Sequence, residues 1–242
     1  MPYDETRTDV SDLTETVRLD MWADIACPWC FIGQTRLNRA LEVERAAGRE
    51  VEVRHRPYQL NPALPPEGLP MRAQYAEIFG GEAAVDEAFA RTEAVAAEVG
   101  LAIDHARMPK AANTRFAHGV VLSYDGDPRQ RAVLLAMYSA YFEKGLDITE
   151  PEVCYAVAAE ASGDTRDEVE ARVAAFDLAR LDASFQLGRE LGVNAVPTFV
   201  ADAGADIDPA YRLSPAAVAV QGAQPEEVLA QVLAEARKRA TA

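Results

Sequence analysis

The sequence predicts an α/β protein in which one strand-containing domain is interrupted by an all-helical insertion. Three observations predict it. A strand–helix–strand pattern fills residues 17–60. The chain from about 63 to 178 is alanine-rich and helical in period. Strand patterns then return at 196–200 and 216–222, ahead of a final helix.

"VRLDMWADIA" (17–26) alternates, with Leu19, Met21, Ala23 and Ile25 on one side and Asp20, Trp22 and Asp24 on the other, so it reads as a strand. From Pro28 the period changes. Phe31, Ile32, Leu37, Ala40, Leu41 and Val43 keep helical spacing up to a stop at Gly48. Pro28 suits a first helical turn, where a missing N–H costs nothing. "VEVRHRPYQL" (51–60) is a second strand, and a parallel pair with a helical crossover is expected. "NPALPPEGLP" (61–70) breaks the pattern as a boundary. Helices follow at 86–100, 129–145 and 150–163, with Ser162 and Asp164 as candidate N-caps for a short helix after them. A helix over 176–192 ends at Gly192, "VPTFV" (196–200) and "AAVAVQG" (216–222) are strands, and residues 223–240 close the chain as an amphipathic helix. The expected division is an acidic flexible tail at 1–16, a sheet-containing domain at 17–62 and 179–242, and the helical insertion at 63–178.

Composition narrows the function. The chain has 242 residues, 49% of them hydrophobic, which suits a folded globular protein. With 39 acidic against 24 basic residues the net charge is −15, a surface that repels phosphate backbones, so nucleic acid is a poor partner. Nothing approaches the roughly 20-residue apolar run that spans a bilayer, so no membrane partner is expected. The start, "MPYDETRTDVSDLTETV", lacks both the basic opening and the apolar stretch of a secretory signal, and a cytoplasmic location is expected.

The three cysteines are Cys27, Cys30 and Cys154, too few and too odd for a disulfide framework. Cys27 and Cys30 stand at i and i+3 in "ADIACPWCFIG" (23–33), at an expected strand-to-helix junction. Three readings apply. Two buried thiols would act as small hydrophobes, but a strand end is usually exposed. A structural zinc site needs four ligands, whereas a second C-x-x-C is absent and His55, His105 and His118 are scattered, so no metal site is assigned. A redox dithiol is favoured, because C-x-x-C beside a strand–helix–strand unit is its signature. Cys27 at the helix start would have its thiolate stabilised by unpaired N–H groups and the dipole. Cys30, one turn on, could resolve a mixed disulfide at Cys27. Pro28 and Trp29 would bias the pair, Trp29 either as an apolar contact beside the sulfur or as ordinary packing. Cys154, on an apolar helix face with Val153, Ala156 and Val157, reads as structural.

In "GVNAVPTFV" a proline precedes an apolar run. It should start the strand or occupy a special turn, and a cis Val196–Pro197 bond would leave Val196 free to pair with an extended substrate.

At these residues the chain resembles the thioredoxin-fold oxidoreductases of the DsbA family, most closely the FrnE-like branch, which is related to 2-hydroxychromene-2-carboxylate isomerase. The resemblance rests on "DIACPWCFIG", "RPYQLNP" (56–62), "NTRFAH" (113–118), "AYFEKGLDI" (140–148), "LGVNAVPTFV" (191–200) and "GAQPEEVL" (222–229). It implies a thioredoxin fold with an inserted all-helical domain, Cys27 as nucleophile, Cys30 as resolving thiol and Pro197 as a facing cis-proline. Pro28, Trp29, Val196 and Pro197 become the substrate-binding candidates, with Asn113 and His118 as further substrate contacts or simply satisfied helix side chains. The chain departs from the family in Ala26, in lacking the second cysteine pair of some relatives, and in having Cys27 where the isomerase and the kappa-class glutathione transferases have serine.

The expected activity is therefore thiol–disulfide oxidoreduction. The alternatives are a glutathione-dependent isomerase or transferase acting on a small aromatic or polyketide-like molecule, and a non-catalytic peptide-binding module. No cofactor is implied beyond the redox-active disulfide, with glutathione as a candidate co-substrate. Expected partners are protein or small-molecule thiols and disulfides and a glutathione or thioredoxin-type reductant, with the chain a monomer or homodimer.

Overall fold

The computed structural model describes residues 16–203, 215 and 217–240. The expected tail therefore lies outside the described residues except for Thr16. The first strand, β1 (Val17–Ala23), is buried along its whole length. It leads into α1 (Pro28–Ala46) and then β2 (Val51–Pro57). β1 and β2 pair in parallel from Val17↔Val51 to Ala23↔Pro57. The late strands are β5 (Thr198–Asp202) and β6 (Val218–Gln221), which follow a two-residue pair, β3 (Leu69–Pro70) with β4 (Lys110–Ala111). β5 runs antiparallel to β1, from Arg18↔Asp202 to Trp22↔Thr198, and β6 runs antiparallel to β5. The sheet order is β2-β1-β5-β6.

Central placement changes the meaning of the alternation in β1. Leu19 and Met21 belong with Phe199 and Ala201 to the main core, which also takes in Leu229 and Leu233 of the last helix, α9 (Glu226–Ala240). Trp22 and Val200 face the other way, into a smaller cluster with Val193, Leu187 and Leu191. Neither face is open to water, so the polar residues of β1 are buried as well. Asp20 takes hydrogen bonds from Arg18 at 3.0 Å and Arg56 at 2.7 Å. Paired in this way the charges survive burial; alone they would not.

Between β2 and β5 run α2 (Met71–Phe79), α3 (Glu82–Glu98), α4 (Arg115–Leu122), α5 (Gln130–Phe142), α6 (Pro151–Ser162), α7 (Arg166–Ala175) and α8 (Leu178–Glu190). α4, α5, α6 and α7 pack on one another, α3 and α5 reach α1, and α8 lies along β2. Gly188 of α8 meets Trp22 so closely that a Cβ would stand 3.0 Å from the indole nitrogen. The start of α7 differs from expectation. Its N-cap is Thr165, whose side chain and Glu168 form a reciprocal capping box. Asp164 is instead committed to Tyr124 at 2.9 Å and Arg129 at 2.5 Å, and Ser162 ends α6. β5 also starts at Thr198 rather than Val196, because residues 194–197 form the turn that enters it. Among the described residues no helix is long and apolar enough to cross a membrane.

Candidate active site

The chain leaves β1, passes Asp24 and enters α1 with Cys27 as the N-cap residue in extended conformation (φ −99°, ψ 112°) and Pro28 in the first turn. The Cys27 carbonyl accepts the N–H of Cys30 at 3.0 Å and of Phe31 at 3.3 Å, which fixes the two cysteines one turn apart. Both are free thiols. Both are also buried: Cys27 is 3% exposed and Cys30 is 0% exposed. The expectation of an open strand end is thus corrected, because the helical segment and the turn before β5 cover this end of β1. Pro28 and Trp29 are half-buried, and Trp29 packs against the main core.

The distant half of the site is the turn at 194–197. The Val196–Pro197 peptide is cis. The Cys27 thiol points at the Val196 carbonyl, Sγ to O 3.8 Å. The Pro197 carbonyl accepts the Gly222 N–H at 2.8 Å, and Thr198 Oγ1 donates to the Ala195 carbonyl at 2.6 Å, so the turn is held on both sides. The Val196 N–H has no hydrogen-bond partner among the described residues. Gly33, one turn beyond Cys30 in α1, packs against the turn: a Cβ there would come within 2.9 Å of Pro197 Cγ.

Beneath the cysteines sits Asp24, which the sequence did not single out. Its carboxylate accepts the N–H of Ala26 at 3.2 Å and of Leu60 at 2.7 Å. His118 Nε2 lies 3.4 Å from the same carboxylate and donates to the Tyr58 carbonyl at 3.0 Å. Asn113 is occupied too. It accepts from Gln59 at 3.1 Å and Arg115 N at 3.0 Å and donates to the Leu64 carbonyl at 2.6 Å. Asn113 and His118 therefore face inward, tying the segment after β2 to α4.

Burial pushes the Cys30 thiol well above its ordinary value, and the hydrogen bond and charge of Cys27 push the same way, as does the Asp24 charge; a hydrogen bond with the Asp24 backbone opposes them. Two tyrosines of the helical segment share this field. Tyr75 and Tyr138 are both raised, first by burial and then by the charges of Asp24 and the cysteines. Cys154 stands apart: it is fully buried, donates to the Ile148 carbonyl at 3.2 Å, and burial raises it to about 12. Among the described residues no group of three or more His, Cys, Asp or Glu side chains could hold a metal ion.

A family model described as the DSBA-like thioredoxin domain matches residues 18–234. The chain belongs to the DSBA-like thioredoxin family. The fold is that of the family in solved structures. A probable DsbA oxidoreductase from Streptomyces coelicolor is 29% identical with a TM-score of 0.75, over 91% of this chain and 89% of that one. A 2-hydroxychromene-2-carboxylate isomerase is 16% identical with a TM-score of 0.62, over 93% and 98%. The cytosolic disulfide reductase DsbM from Pseudomonas aeruginosa, in its structure with glutathione, is 18% identical with a TM-score of 0.58, over 93% and 98%. The last two likenesses concern the fold alone. No curated protein sequence matches the chain. Thiol–disulfide chemistry in general follows from this membership. Neither Asp24 nor Gly33 was legible in the sequence, since each looks like an ordinary strand or helix residue until the chain closes.

Proposed function

We propose that the protein is a thiol–disulfide oxidoreductase, with Cys27 as nucleophile, Cys30 as resolving thiol and Val196–Pro197 as the backbone edge that receives substrate. The observation that carries this reading is the Cys27 thiol facing the Val196 carbonyl across 3.8 Å, with Cys30 one turn behind it. An extended peptide or the backbone of glutathione can pair with Val196 as an added strand, which brings its sulfur to Cys27. Residues 17–62 and 179–242 would form the thioredoxin-like unit and 63–178 its helical cover. The dithiol needs no metal or organic cofactor. Glutathione is the proposed co-substrate, a proposal favoured by the glutathione-bound neighbour, and a cytoplasmic location is proposed on the likeness to a cytosolic reductase.

The test is insulin disulfide reduction, run with dithiothreitol and again with glutathione as electron source. Turnover that Cys27→Ser abolishes is the expected result. Full turnover by Cys27→Ser, or none by the intact chain with either reductant, would sink the reading. Glutathione-dependent isomerisation of a chromene carboxylate in place of insulin reduction would point to the second reading instead.

A further inference from the structure

We propose that Arg36 is a positioning residue for substrates that carry a peptide backbone. From α1 it clamps the segment after β6 that anchors the Val196–Pro197 edge, and so favours peptide disulfides over disulfides without a peptide. The inference rests on the oxidoreductase reading above and adds to it a residue outside the dithiol and the turn.

The edge depends on an anchor that is weak by itself. Pro197 has no N–H to donate, and the bond from Thr198 to the Ala195 carbonyl is internal to the turn. The backbone bond that ties Pro197 to the next strand comes from the Gly222 N–H, which donates to the Pro197 carbonyl at 2.8 Å. This rung lies one residue beyond the β5–β6 ladder, whose last pair is Thr198↔Gln221. Such ends fray first. The chain also bends at Gly222, where φ is +86°, a value that suits glycine and few other residues.

Arg36 closes this end. Its Nη1 donates to the carbonyl of Ala223, directly after Gly222, at 2.6 Å. The guanidinium is half-buried and has no carboxylate partner among the described residues. Arg39, one turn on, is placed differently, with Glu226 at 3.9 Å and the Val99 carbonyl at 3.0 Å. The charge of Arg36 is therefore committed to the Ala223 carbonyl, and charged donors make the stronger hydrogen bonds. Gln224 braces the same bend: its N–H donates to the Gly222 carbonyl at 2.8 Å and its side chain to the Gln221 carbonyl at 2.6 Å. Gly33, three residues before Arg36 on the same helix face, meets the loop as well, since a Cβ there would stand 3.6 Å from the Ala223 Cα.

These contacts form a ring. It leaves α1 at Arg36, runs through Ala223, Gly222, Pro197 and Val196, and returns to α1 at Cys27, whose sulfur stands 3.8 Å from the Val196 carbonyl. One helix thus carries the nucleophile at its start and, about two and a half turns on, the clamp of the edge that faces it. Only a substrate with a backbone to pair uses that edge. Releasing the clamp costs peptide binding and leaves the reactivity of the sulfur as it was.

The test compares two disulfides on the full-length protein. Insulin reduction, with dithiothreitol as electron source, reports a peptide substrate. Release of coloured thiolate from dithio-bis-nitrobenzoate by the reduced protein reports attack by Cys27 on a disulfide that has no peptide. Arg36→Met keeps the apolar stem and removes the donor. It should raise KM for insulin by about three- to tenfold with kcat little changed, because part of the worth of a hydrogen bond from a charged group reaches the binding step. The aromatic release should keep its wild-type rate. Arg36→Lys, which retains a charged donor, should recover most of the loss. An unchanged insulin KM in Arg36→Met would overturn the assignment and leave the oxidoreductase reading standing. Equal slowing with both disulfides, no recovery in Arg36→Lys, or an Arg36→Met chain that does not fold would also overturn it, because the side chain would then serve packing and not the edge. A wild-type protein that reduces no insulin would remove the oxidoreductase reading and this inference with it.

Discussion

Gly33 and Pro197 pack against each other so closely that a Cβ on the glycine would lie 2.9 Å from the proline Cγ, with Phe199 Cζ at 3.2 Å and the Ala223 backbone at 3.6 Å. A helix interior normally gains up to about 1 kcal/mol from alanine in place of glycine. Here overpacking against a rigid ring should outweigh that gain, at about 1–3 kcal/mol. Gly33→Ala is expected to lower the urea midpoint and also to cut insulin reduction, because the displaced ring takes Val196 away from Cys27. A more stable and fully active variant would show that the turn has slack.

Asp24→Asn should separate two roles of the buried carboxylate. An amide offers one acceptor oxygen where the carboxylate accepts from both Ala26 and Leu60, so about 1–3 kcal/mol of stability should be lost in denaturant melts. The Asp24 charge also helps to raise the Cys30 thiol, after burial and Cys27. Its removal should bring the titration of the resolving step to lower pH. A pH profile that does not move would mean that the field of Asp24 does not reach the sulfur.

Cys154→Ala should leave disulfide reduction intact. The thiol is buried on α6, bonded to the Ile148 carbonyl and raised to about 12, so it supplies no thiolate at neutral pH. The expected cost is on the order of 1 kcal/mol in stability. Loss of turnover by a well-folded variant would place Cys154 in the redox pathway.

His55 makes stability depend on pH. It is 8% exposed in β2, and burial, helped by the Arg131 charge, lowers it from 6.5 to about 4. Between those values the unfolded chain binds a proton that the folded chain refuses. Its contribution is complete above the unfolded value and is lost as pH falls toward about 4, by about 3 kcal/mol in all. Melts across this window should show a stability slope that His55→Leu flattens. An equal slope in the variant would assign the effect to other groups.

Much of this was legible because β1, α1, β2 and the late strands carry periodic patterns that match how they are buried. The alternation in β1 gave the strand but not its surroundings. Asp20 and Asp24 share one side of that alternation with Trp22, and the alternation does not show that the strand is central and covered on both faces, which only the pairing with β5 reveals. Cys27 and Cys30 were conspicuous because C-x-x-C is a local pattern. Gly33 and Asp24 carry no local pattern; their meaning comes from contacts with residues far along the chain. The N-cap of α7 was misplaced for a related reason, since Asp164 is drawn away by Tyr124 and Arg129, which sequence spacing does not register.

The two residues that meet across the site, Cys27 and Val196, are 169 positions apart in the chain. A ribosome adding about 5–20 residues per second needs roughly 8–34 s to span that interval. Throughout it the nascent chain carries its paired thiols without the turn and the last strands that later seal them. The dithiol and the edge that faces it are therefore brought together only when the end of the chain has arrived, so a chain cut short before Val196 keeps both cysteines but not the edge that faces them.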